Sequence, residues 1–369
     1  MRVGFSQADI TPTLPIALGG YSCRNGFARD IGAPLYIRVM AVEHKCVTWI
    51  LISLDLLGVS VSFVDALREE FRAAPCNGNV SVVATHTHGA PNGLPEELDN
   101  GLWIDGRDHV PRAYLELVLS VSIRCARGAL LSMRPAFLRW IVAEADGLYL
   151  NRRDPSLPID RRIHSLIAET AEGHVLGGCI HAACHPTVVD PLTYSVTPDF
   201  PGYLTTALEK THPDSVFLFL NGAAGDVSTR FTRREATAVE AERIGREMAS
   251  AMGNARSLPS DDGLVFHQQE ITLADRFNGE SLRVRLQTLS LCGRNLIFIP
   301  GEVFAQYALD AAMQSPEALI IGYANGYLGY LPDLVSVGNS GYEIDVCRLN
   351  PPDIQQIADW IIYTAAKSG

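Results

Sequence analysis

The stretch VSVVATHTHGAPNG, residues 80–93, carries the strongest signal for the fold. Its valine-rich first half is typical of a buried β-strand, and the glycines and proline of its second half end such a strand. His86 and His88 stand where the strand ends. Side chains two residues apart on an extended chain lie on one face, so both imidazoles can contact one object. The simplest object is a metal ion, and the alternative is two ordinary polar groups at a strand end.

Strand-like and helix-like segments alternate along the chain, which predicts an α/β (α+β) fold with a mixed sheet core flanked by helices. The predicted strands are 36–42, 48–54, 79–84, 137–142, 178–183, 215–220, 284–291, 296–299 and 318–322. Helical spacing predicts core-facing stripes of Phe63, Val64, Leu67 and Phe71; Leu115, Leu119 and Ile123; Val239, Ile244, Met248 and Met252; and Ile354, Ile357 and Ile361. The sequence contains no internal repeat or low-complexity tract, so we expect a single domain over residues 1–369.

Composition excludes several classes of partner. The 369 residues are 47% hydrophobic and carry a formal net charge of -11, without a basic run that could neutralise a nucleic-acid backbone. The first twenty residues lack a continuous apolar region, and no run of apolar residues is long enough for a membrane span. We therefore expect a cytoplasmic protein without a nucleic-acid partner or an integral membrane segment. The eight cysteines form no CxxC pair, which favours free thiols that are mostly buried.

Two further stretches repeat the pattern of an apolar strand followed by polar residues. In CIHAACHPT, His185 ends a strand just before a proline, whereas His181 lies four residues earlier, where either a core position or a site role fits. In NGAAGDVSTR, small residues after a strand allow the backbone to approach a ligand, and they place Asp226 and Ser228 on the same loop.

A long polar segment, Pro91 to Pro111, directly follows the first pair of histidines. Segments of this length without predicted secondary structure are often functional loops. We expect it to form a rim or lid over whatever the histidines bind.

The motifs THTHG, LNRRD, CHPT, GAAGDVS, IPGE and GYANGYLGYLP with GYE occur in one order over nearly the whole chain, after ADITP and SLDLLG near its start. In this order they resemble the catalytic domain of the neutral, non-lysosomal ceramidases. The resemblance implies a zinc ion held by His86, His185, Glu302 and Tyr330. It further implies that His88 is a general base or a neighbour of the ligands, that Ser228 lies near the metal, and that Arg152 faces the substrate.

The implied activity is zinc-dependent hydrolysis of a C–N amide bond. Two imidazoles and a carboxylate are a common protein ligand set for catalytic zinc, which lowers the pKa of bound water from about 15.7 to about 7. His88 would move a proton from the water to the leaving amine, while Tyr330 and Arg152 would stabilise the oxyanion.

Each assigned residue also has an ordinary structural interpretation. Glu302 lies in GEVFAQYALDAA, which looks helical, and an acidic residue in a first helical turn complements the helix dipole. Tyr330 fits an aromatic residue packed in a glycine-rich loop. Arg152, with Arg153 and Asp154 beside it, fits a surface ion pair.

The substrate and the mechanism have alternatives at this point. The ceramidases carry an additional C-terminal β-domain that is expected to be absent here, so a small soluble amide is as good a candidate as a sphingolipid. A binuclear amidohydrolase using His212 and Asp226 as further ligands is one alternative, and a non-catalytic binding protein is another. A serine hydrolase using Ser228 lacks the G-x-S-x-G elbow. The oligomeric state is left open.

Overall fold

Three β-sheets form the framework of the chain in a computed structural model that describes residues 1–73, 75–94 and 110–367. The strands within these residues are β1 (Arg2–Asp9), β2 (Asp30–Ile31), β3 (Tyr36–His44), β4 (Val47–Leu54), β5 (Val80–Ala84), β6 (Arg134–Pro135), β7 (Phe137–Glu144), β8 (Leu150–Asn151), β9 (Arg162–Glu169), β10 (Val175–Ala182), β11 (Ser195–Val196), β12 (Val216–Asn221), β13 (Val227–Ser228), β14 (Arg256–Ser257), β15 (Leu264–Ala274), β16 (Ser281–Leu291), β17 (Arg294–Phe298), β18 (Glu302–Val303), β19 (Ala318–Ile321) and β20 (Tyr330–Leu331). The helices are α1 (Val61–Glu70), α2 (Arg112–Leu131), α3 (Asp199–Thr211), α4 (Ala238–Ala251), α5 (Ala305–Gln314), α6 (Leu334–Val337), α7 (Tyr342–Asp345) and α8 (Pro351–Ala366).

The three large sheets share one plan. Their strand orders are β5-β4-β3-β1-β6, β12-β10-β9-β7-β14 and β15-β16-β17-β19. Each sheet is antiparallel except for one parallel pair: β4 with β5, β10 with β12, and β17 with β19. The connection within each parallel pair contains one helix, α1, α3 or α5 respectively. The predicted mixed α/β fold is thus confirmed, and its repeated β-α-β plan is not visible as a sequence repeat.

One hydrophobic cluster joins the inner faces of all three sheets. It includes Trp49 of the first sheet, Trp140 of the second and Phe298 of the third, all at most 1% exposed. The other face of each sheet is covered by helices: α1 and α2 on the first, α3 and α4 on the second, α5 and α8 on the third. The central strands of each sheet are therefore buried on both faces over much of their length, which explains the near-continuous apolar runs that predicted them.

The carboxyl ends of the parallel strands meet at one place. Ala84 N–H donates to Tyr323 O at 3.1 Å, and Gly322 N–H donates to Asn221 O at 2.9 Å, joining the ends of all three sheets. The Asn221 amide also donates to Thr85 O at 3.3 Å. Ligands of α/β proteins bind at the carboxyl ends of parallel strands, so this junction is where a functional site is expected.

All nine predicted strands are present, with ends shifted by at most three residues. Among the strands longer than two residues, β1, β9 and β15 were not predicted. Strand β15 is largely exposed along its length because it lies at a sheet edge, and it therefore lacks the apolar pattern. Strand β9 carries His164 and Ser165 in its buried centre, where apolar residues would have marked it.

Two predicted helical stripes are shifted. Val239 is 76% exposed, because the buried face of α4 is formed by Ala241, Ile244 and Met248. In α2 the predicted residues Leu115, Leu119 and Ile123 are only partly buried, since they flank the face that packs against the first sheet. The stripe of Ile354, Ile357 and Ile361 in α8 is confirmed.

Other sequence-based predictions have mixed outcomes. Residues 95–109 of the predicted rim or lid lie outside the described residues. The eight cysteines, all within the described part of the chain, form no disulfide; six are buried, whereas Cys23 and Cys46 are exposed. Among the helices of the described residues, none combines the length and apolar character of a membrane span.

Candidate metal centre and active site

The strands β5 and β10 each deliver one histidine to the junction of the sheets. His86 follows β5 in a left-handed conformation, with φ at 67°, and its Nδ1 lies 2.6 Å from Leu57 O. His185 follows β10, and its Nδ1 lies 3.0 Å from Ala224 O. Because a carbonyl only accepts, each Nδ1 carries the proton and each Nε2 presents its lone pair. Both imidazoles are therefore held in the form that binds metals.

The free nitrogens of these histidines converge with a carboxylate. His86 Nε2 lies 3.1 Å from His185 Nε2, and Glu302 Oε2 lies 3.4 Å from each of them. All three side chains are at most 1% exposed. Burial, followed by the charge of Arg152, lowers the pKa of His185 well below its usual value, so this imidazole is neutral.

Glu302 is held by its surroundings so that one oxygen faces the histidines. The Tyr327 hydroxyl donates to Oε1 at 2.5 Å, whereas the buried Oε2 has no hydrogen-bond partner within the described residues. Glu302 lies in β18, before the start of α5, so its alternative interpretation as a charge in the first helical turn is wrong. Gly225 permits this approach, since a Cβ there would lie 2.3 Å from Glu302 O.

The donor set fits a divalent cation. Ligands at about 2.0–2.1 Å from a tetrahedral zinc lie about 3.3–3.4 Å apart, and the three distances within the cluster are 3.1, 3.4 and 3.4 Å. Without a cation, two lone pairs and a carboxylate oxygen would face one another in a buried space, which is unfavourable. The chemistry and spacing of the cluster thus match a zinc-type site.

His88 lies between the cluster and a cavity. Its Nε2 is 3.3 Å from His86 Nε2, and one ligand atom each of His86, His88 and His185 lie within 4.8 Å of one another. Burial, followed by the neighbouring His86, lowers its pKa well below the usual value. Gly20 packs against the ring so closely that a Cβ would lie 2.3 Å from His88 Nδ1. The position allows His88 either to bind the metal or to exchange protons with the cavity.

The cavity has a volume of about 1000 Å³ and is lined by His88, Arg152, Ser228, Tyr330 and Glu343 among others. Arg152 donates from Nη2 to the Tyr330 hydroxyl at 2.8 Å and from Nε to Glu343 at 2.9 Å. Burial alone would lower the pKa of Arg152, but Tyr330, Glu343 and Glu302 raise it above its usual range. The interpretation of Arg152 as a surface ion pair is wrong, because this pair lies inside the cavity.

The loop after β12 contributes polar groups to the same wall. Ser228 pairs with His185 through a parallel bridge and with Leu150 in the β8–β13 ladder, so the Asn151–Arg152 segment lies beside it. Asp226 accepts from the Asn151 amide at 2.6 Å and from Ala305 N–H at 2.8 Å. Asp226 thus ties the loop to the start of α5.

Tyr330 lies next to the cluster through its backbone. It pairs in register with Glu302 in the parallel β18–β20 ladder, and its side chain is 3% exposed. Burial raises the pKa of Tyr330 well above its usual value, against the lowering effect of Arg152. The position is compatible with contact to a substrate oxygen, and a role as metal ligand stays a prediction.

Two candidate histidines do not join the site. His181 lies in the core of β10, and its Nε2 contacts Ile320 O at 2.8 Å. His212 is exposed at the end of α3, beside Phe217. The described residues form open sheets rather than a closed barrel, so the binuclear amidohydrolase alternative loses both its scaffold and one of its ligands.

Sequence reasoning missed three contributors to the site. Tyr327 orients Glu302, Glu343 holds Arg152, and the Tyr21 ring lies 4.6 Å from the His88 ring. Tyr327 and Glu343 both fall within the GYANGYLGYLP and GYE motifs. Their position in glycine-rich motifs was the signal that the sequence offered. The residues they contact across the fold could not be read from the sequence.

Comparison with known proteins gives two kinds of match. No family model matches the chain. The neutral ceramidase of Drosophila melanogaster is 25% identical over 253 residues, which make up 62% of this chain and 36% of the fly protein. The neutral ceramidase of Drosophila pseudoobscura pseudoobscura is 24% identical over 253 residues, with the same coverage. The chain thus matches only 36% of the length of these curated relatives.

Solved structures share the fold over almost the whole chain. The crystal structure of neutral ceramidase from Pseudomonas aeruginosa superposes with a TM-score of 0.83 at 15% identity, covering 99% of this chain and 74% of that chain. A ceramidase complexed with C2 gives a TM-score of 0.85 at the same identity and coverage. The three-sheet architecture is therefore the mixed α/β fold of these hydrolases. The sequence matches are to neutral ceramidases, and the predicted resemblance is confirmed.

Proposed function

We propose that this chain is a zinc-dependent hydrolase of a C–N amide bond. The observation that carries the proposal is the convergence of His86 Nε2, His185 Nε2 and the unpartnered Glu302 Oε2 within 3.1–3.4 Å, beside a cavity containing Arg152 and Tyr330. The family relationship supports the same reaction class. When bound, zinc supplies a nucleophilic water at neutral pH and polarises the carbonyl.

Metal binding and proton transfer are assigned to different residues of the chain. His86, His185 and Glu302 would hold the ion, with Tyr330 as the fourth implied ligand. His88, at the boundary between this cluster and the cavity, is placed to accept a proton and pass it to the leaving amine. This assignment makes His88 a catalytic residue rather than a ligand.

Arg152 and Tyr330 would stabilise charge on the substrate oxygen. The guanidinium donates to the Tyr330 hydroxyl, so the two groups are already oriented toward each other before a substrate arrives. Preorganised donors in a buried site are worth more than the same donors in water. Ser228, beside His185, would add a hydrogen bond to the substrate or its water.

The test is amide hydrolysis by the purified chain with and without metal. An N-acyl amide panel that includes ceramide would be assayed by amine release, after chelation and again after zinc is restored. The proposal predicts loss of activity on chelation and recovery with zinc. Turnover that survives complete chelation would contradict it, and binding without turnover of any amide would favour a non-catalytic protein.

The chain offers a matched control for this test. His86→Ala removes a proposed ligand, whereas His212→Ala removes an exposed histidine at the end of α3. We expect activity to be abolished in the first variant and unchanged in the second. Equal loss in both would indicate a general effect on folding rather than a metal site.

A further inference from the structure

Three of the arginines that line the cavity are not in ion-pair contact with any carboxylate of the described residues. Arg153, Arg230 and Arg233 form no ion pair within the described residues, whereas Arg152 in the same cavity is paired with Glu343. Arg153 and Arg230 lie over the rings of Phe304 and Phe231, which does not neutralise their charge. A guanidinium stays charged at every accessible pH, so these groups leave positive charge facing the cavity.

The acidic residues of the cavity are occupied by other donors. The cavity is lined by four arginines and by four acidic residues, Asp154, Asp226, Asp333 and Glu343, so its formal charges balance. The electrostatic potential inside the cavity therefore depends on which of these charges form ion pairs. Asp154 accepts from Ser156, and Asp333 accepts from the backbone of Val335 and Ser336. Asp226 and Glu343 are held by the Asn151 amide and Arg152. None of the four carboxylates is therefore in ion-pair contact with the three arginines.

Arg233 is held by the segment that directly follows His185. Its Nη1 donates to the carbonyls of Thr187 and Val188, which follow His185 by two and three residues. The buried carboxylate of Asp199 accepts from the backbone N–H groups of Val188, Val189 and Phe200, and the charge of Arg233 partly counteracts the rise that burial causes in the pKa of Asp199. Asp199 and Arg233 thus attract each other electrostatically without an ion pair, and the hydrogen bonds of the Arg233 guanidinium go to neutral acceptors.

Arg230 belongs to the same loop on the same side of the site. Its backbone N–H donates to Ser228 Oγ at 3.2 Å, and Ser228 is bridged to His185. Arg230 is therefore two residues from Ser228, which is bridged to His185, and Arg233 contacts the two residues Thr187 and Val188 that follow His185 closely. Both residues line the same cavity, and guanidinium groups are suited to bind a carboxylate or another oxyanion.

We infer that the amide substrate of this site carries an anionic group, most simply a carboxylate. Arg230 and Arg233 bind this group while the amide lies beside His86, His185 and Glu302. This inference rests on the proposed function and specifies its substrate class. A neutral amide of the same size would leave both cations without a partner. Acylated amino acids are the simplest compounds that combine an amide with a carboxylate.

The experiment compares two amides that differ in one group, N-octanoylglycine and N-octanoylethanolamine. We expect kcat/KM to be about tenfold or more higher for N-octanoylglycine, because a charge-assisted contact is lost with the neutral compound. Arg233→Gln and, separately, Arg230→Gln should each reduce kcat/KM for N-octanoylglycine about tenfold and leave N-octanoylethanolamine within about twofold. Since Arg230 is exposed, its replacement does not threaten folding.

Arg234→Gln is the matched control, because Arg234 lies on the same loop but does not line the cavity. It should leave both substrates unchanged. Equal turnover of the two amides, or equal losses in the Arg233 and Arg234 variants, would overturn the inference and leave the proposed amidase function intact.

Binding is measured in parallel by calorimetry with N-octanoylglycine and the zinc-loaded protein. If neither amide is hydrolysed, the proposed function fails, yet binding that is weakened by Arg233→Gln and unaffected by Arg234→Gln still supports the anion site. Absence of binding to the carboxylate compound overturns the inference.

Discussion

The described residues contain two groups of buried histidines, and only one of these two groups has the arrangement of a metal site. At the junction of the sheets, His86 and His185 each use Nδ1 on a backbone carbonyl and direct Nε2 toward Glu302. In the core between β9 and β10, the His164 and His181 rings lie 6.1 Å apart, and neither nitrogen of His164 has a hydrogen-bond partner within the described residues. Burial is the same in both groups, at most 4% exposure.

The difference lies in what surrounds the rings. The first pair has a backbone acceptor for each Nδ1 and a carboxylate opposite each Nε2. The second pair has one backbone contact, from His181 Nε2 to Ile320 O, and the nearby Asp160 is taken by Arg162. Orientation by neighbouring groups, rather than the presence of histidine in a buried strand, therefore distinguishes a metal centre from polar groups in a core.

The largest expected effect comes from removing the carboxylate. Glu302→Gln keeps the size of the side chain but loses the charge that faces both imidazoles, so we expect zinc affinity to fall at least about a hundredfold. Competition with a chromophoric chelator measures this. His164→Gln is the control variant from the buried pair of His164 and His181, and it should leave zinc affinity unchanged. A comparable loss of zinc affinity in both variants would mean that the two groups of histidines do not differ in metal binding.

His88→Gln separates proton transfer from metal binding. If His88 moves protons, the variant keeps its zinc while kcat falls about 10²–10⁴-fold, the usual contribution of a general acid–base. Zinc content and kcat would be measured on one preparation. Loss of zinc together with activity would instead make His88 a ligand beside His86 and His185.

A smaller effect is expected from the group that orients the carboxylate. Tyr327→Phe removes the 2.5 Å hydrogen bond to Glu302 Oε1, and zinc affinity should fall about 10–100-fold, as for other groups that hold ligands in place. Tyr363→Phe, on the exposed side of α8, is the control. An unchanged affinity in the Tyr327 variant would show that packing alone positions Glu302.

The second group, His164 and His181, should affect how the free energy of unfolding depends on pH rather than how the chain binds metal. Burial lowers the pKa of His164 to about 3 and also lowers that of His181, so both are neutral in the folded chain. The unfolded state binds more protons below about pH 6.5, and the stability contributed by these groups is lost as pH falls through that value. Between pH 6.5 and 5 the protonation of His164 in the unfolded state should lower the free energy of unfolding by about 1–2 kcal/mol, and His181 should act in the same direction.

Urea unfolding at the two pH values, compared between the wild-type chain and His164→Gln, isolates this contribution from that of the metal cluster. We expect the stability difference between pH 6.5 and 5 to shrink in the variant. An identical pH dependence in both proteins would mean that His164 is accessible to protons in the folded state.

The same contrast explains what the sequence could predict. Strands and the histidines at their ends were visible because apolar runs and breakers are local features. Glu302 was named from the family resemblance; the structure brings it together with His86 and His185, and their role as metal ligands stays a prediction. The local pattern favoured His185 over His181 for a site role, and the partners across the fold, Ala224 and Ile320, explain why only His185 joins the cluster. Tyr327, Glu343 and the unpaired arginines depend on contacts between distant segments, which no local pattern encodes. The cytoplasmic location and the single-domain organisation stay predictions.

Elemental analysis of the purified chain tests most directly whether one divalent cation binds at the junction of the sheets. We expect about one zinc per chain in the wild type and in His164→Gln, and much less in Glu302→Gln. No bound metal after incubation with zinc, or zinc that is retained in full without Glu302, would contradict it.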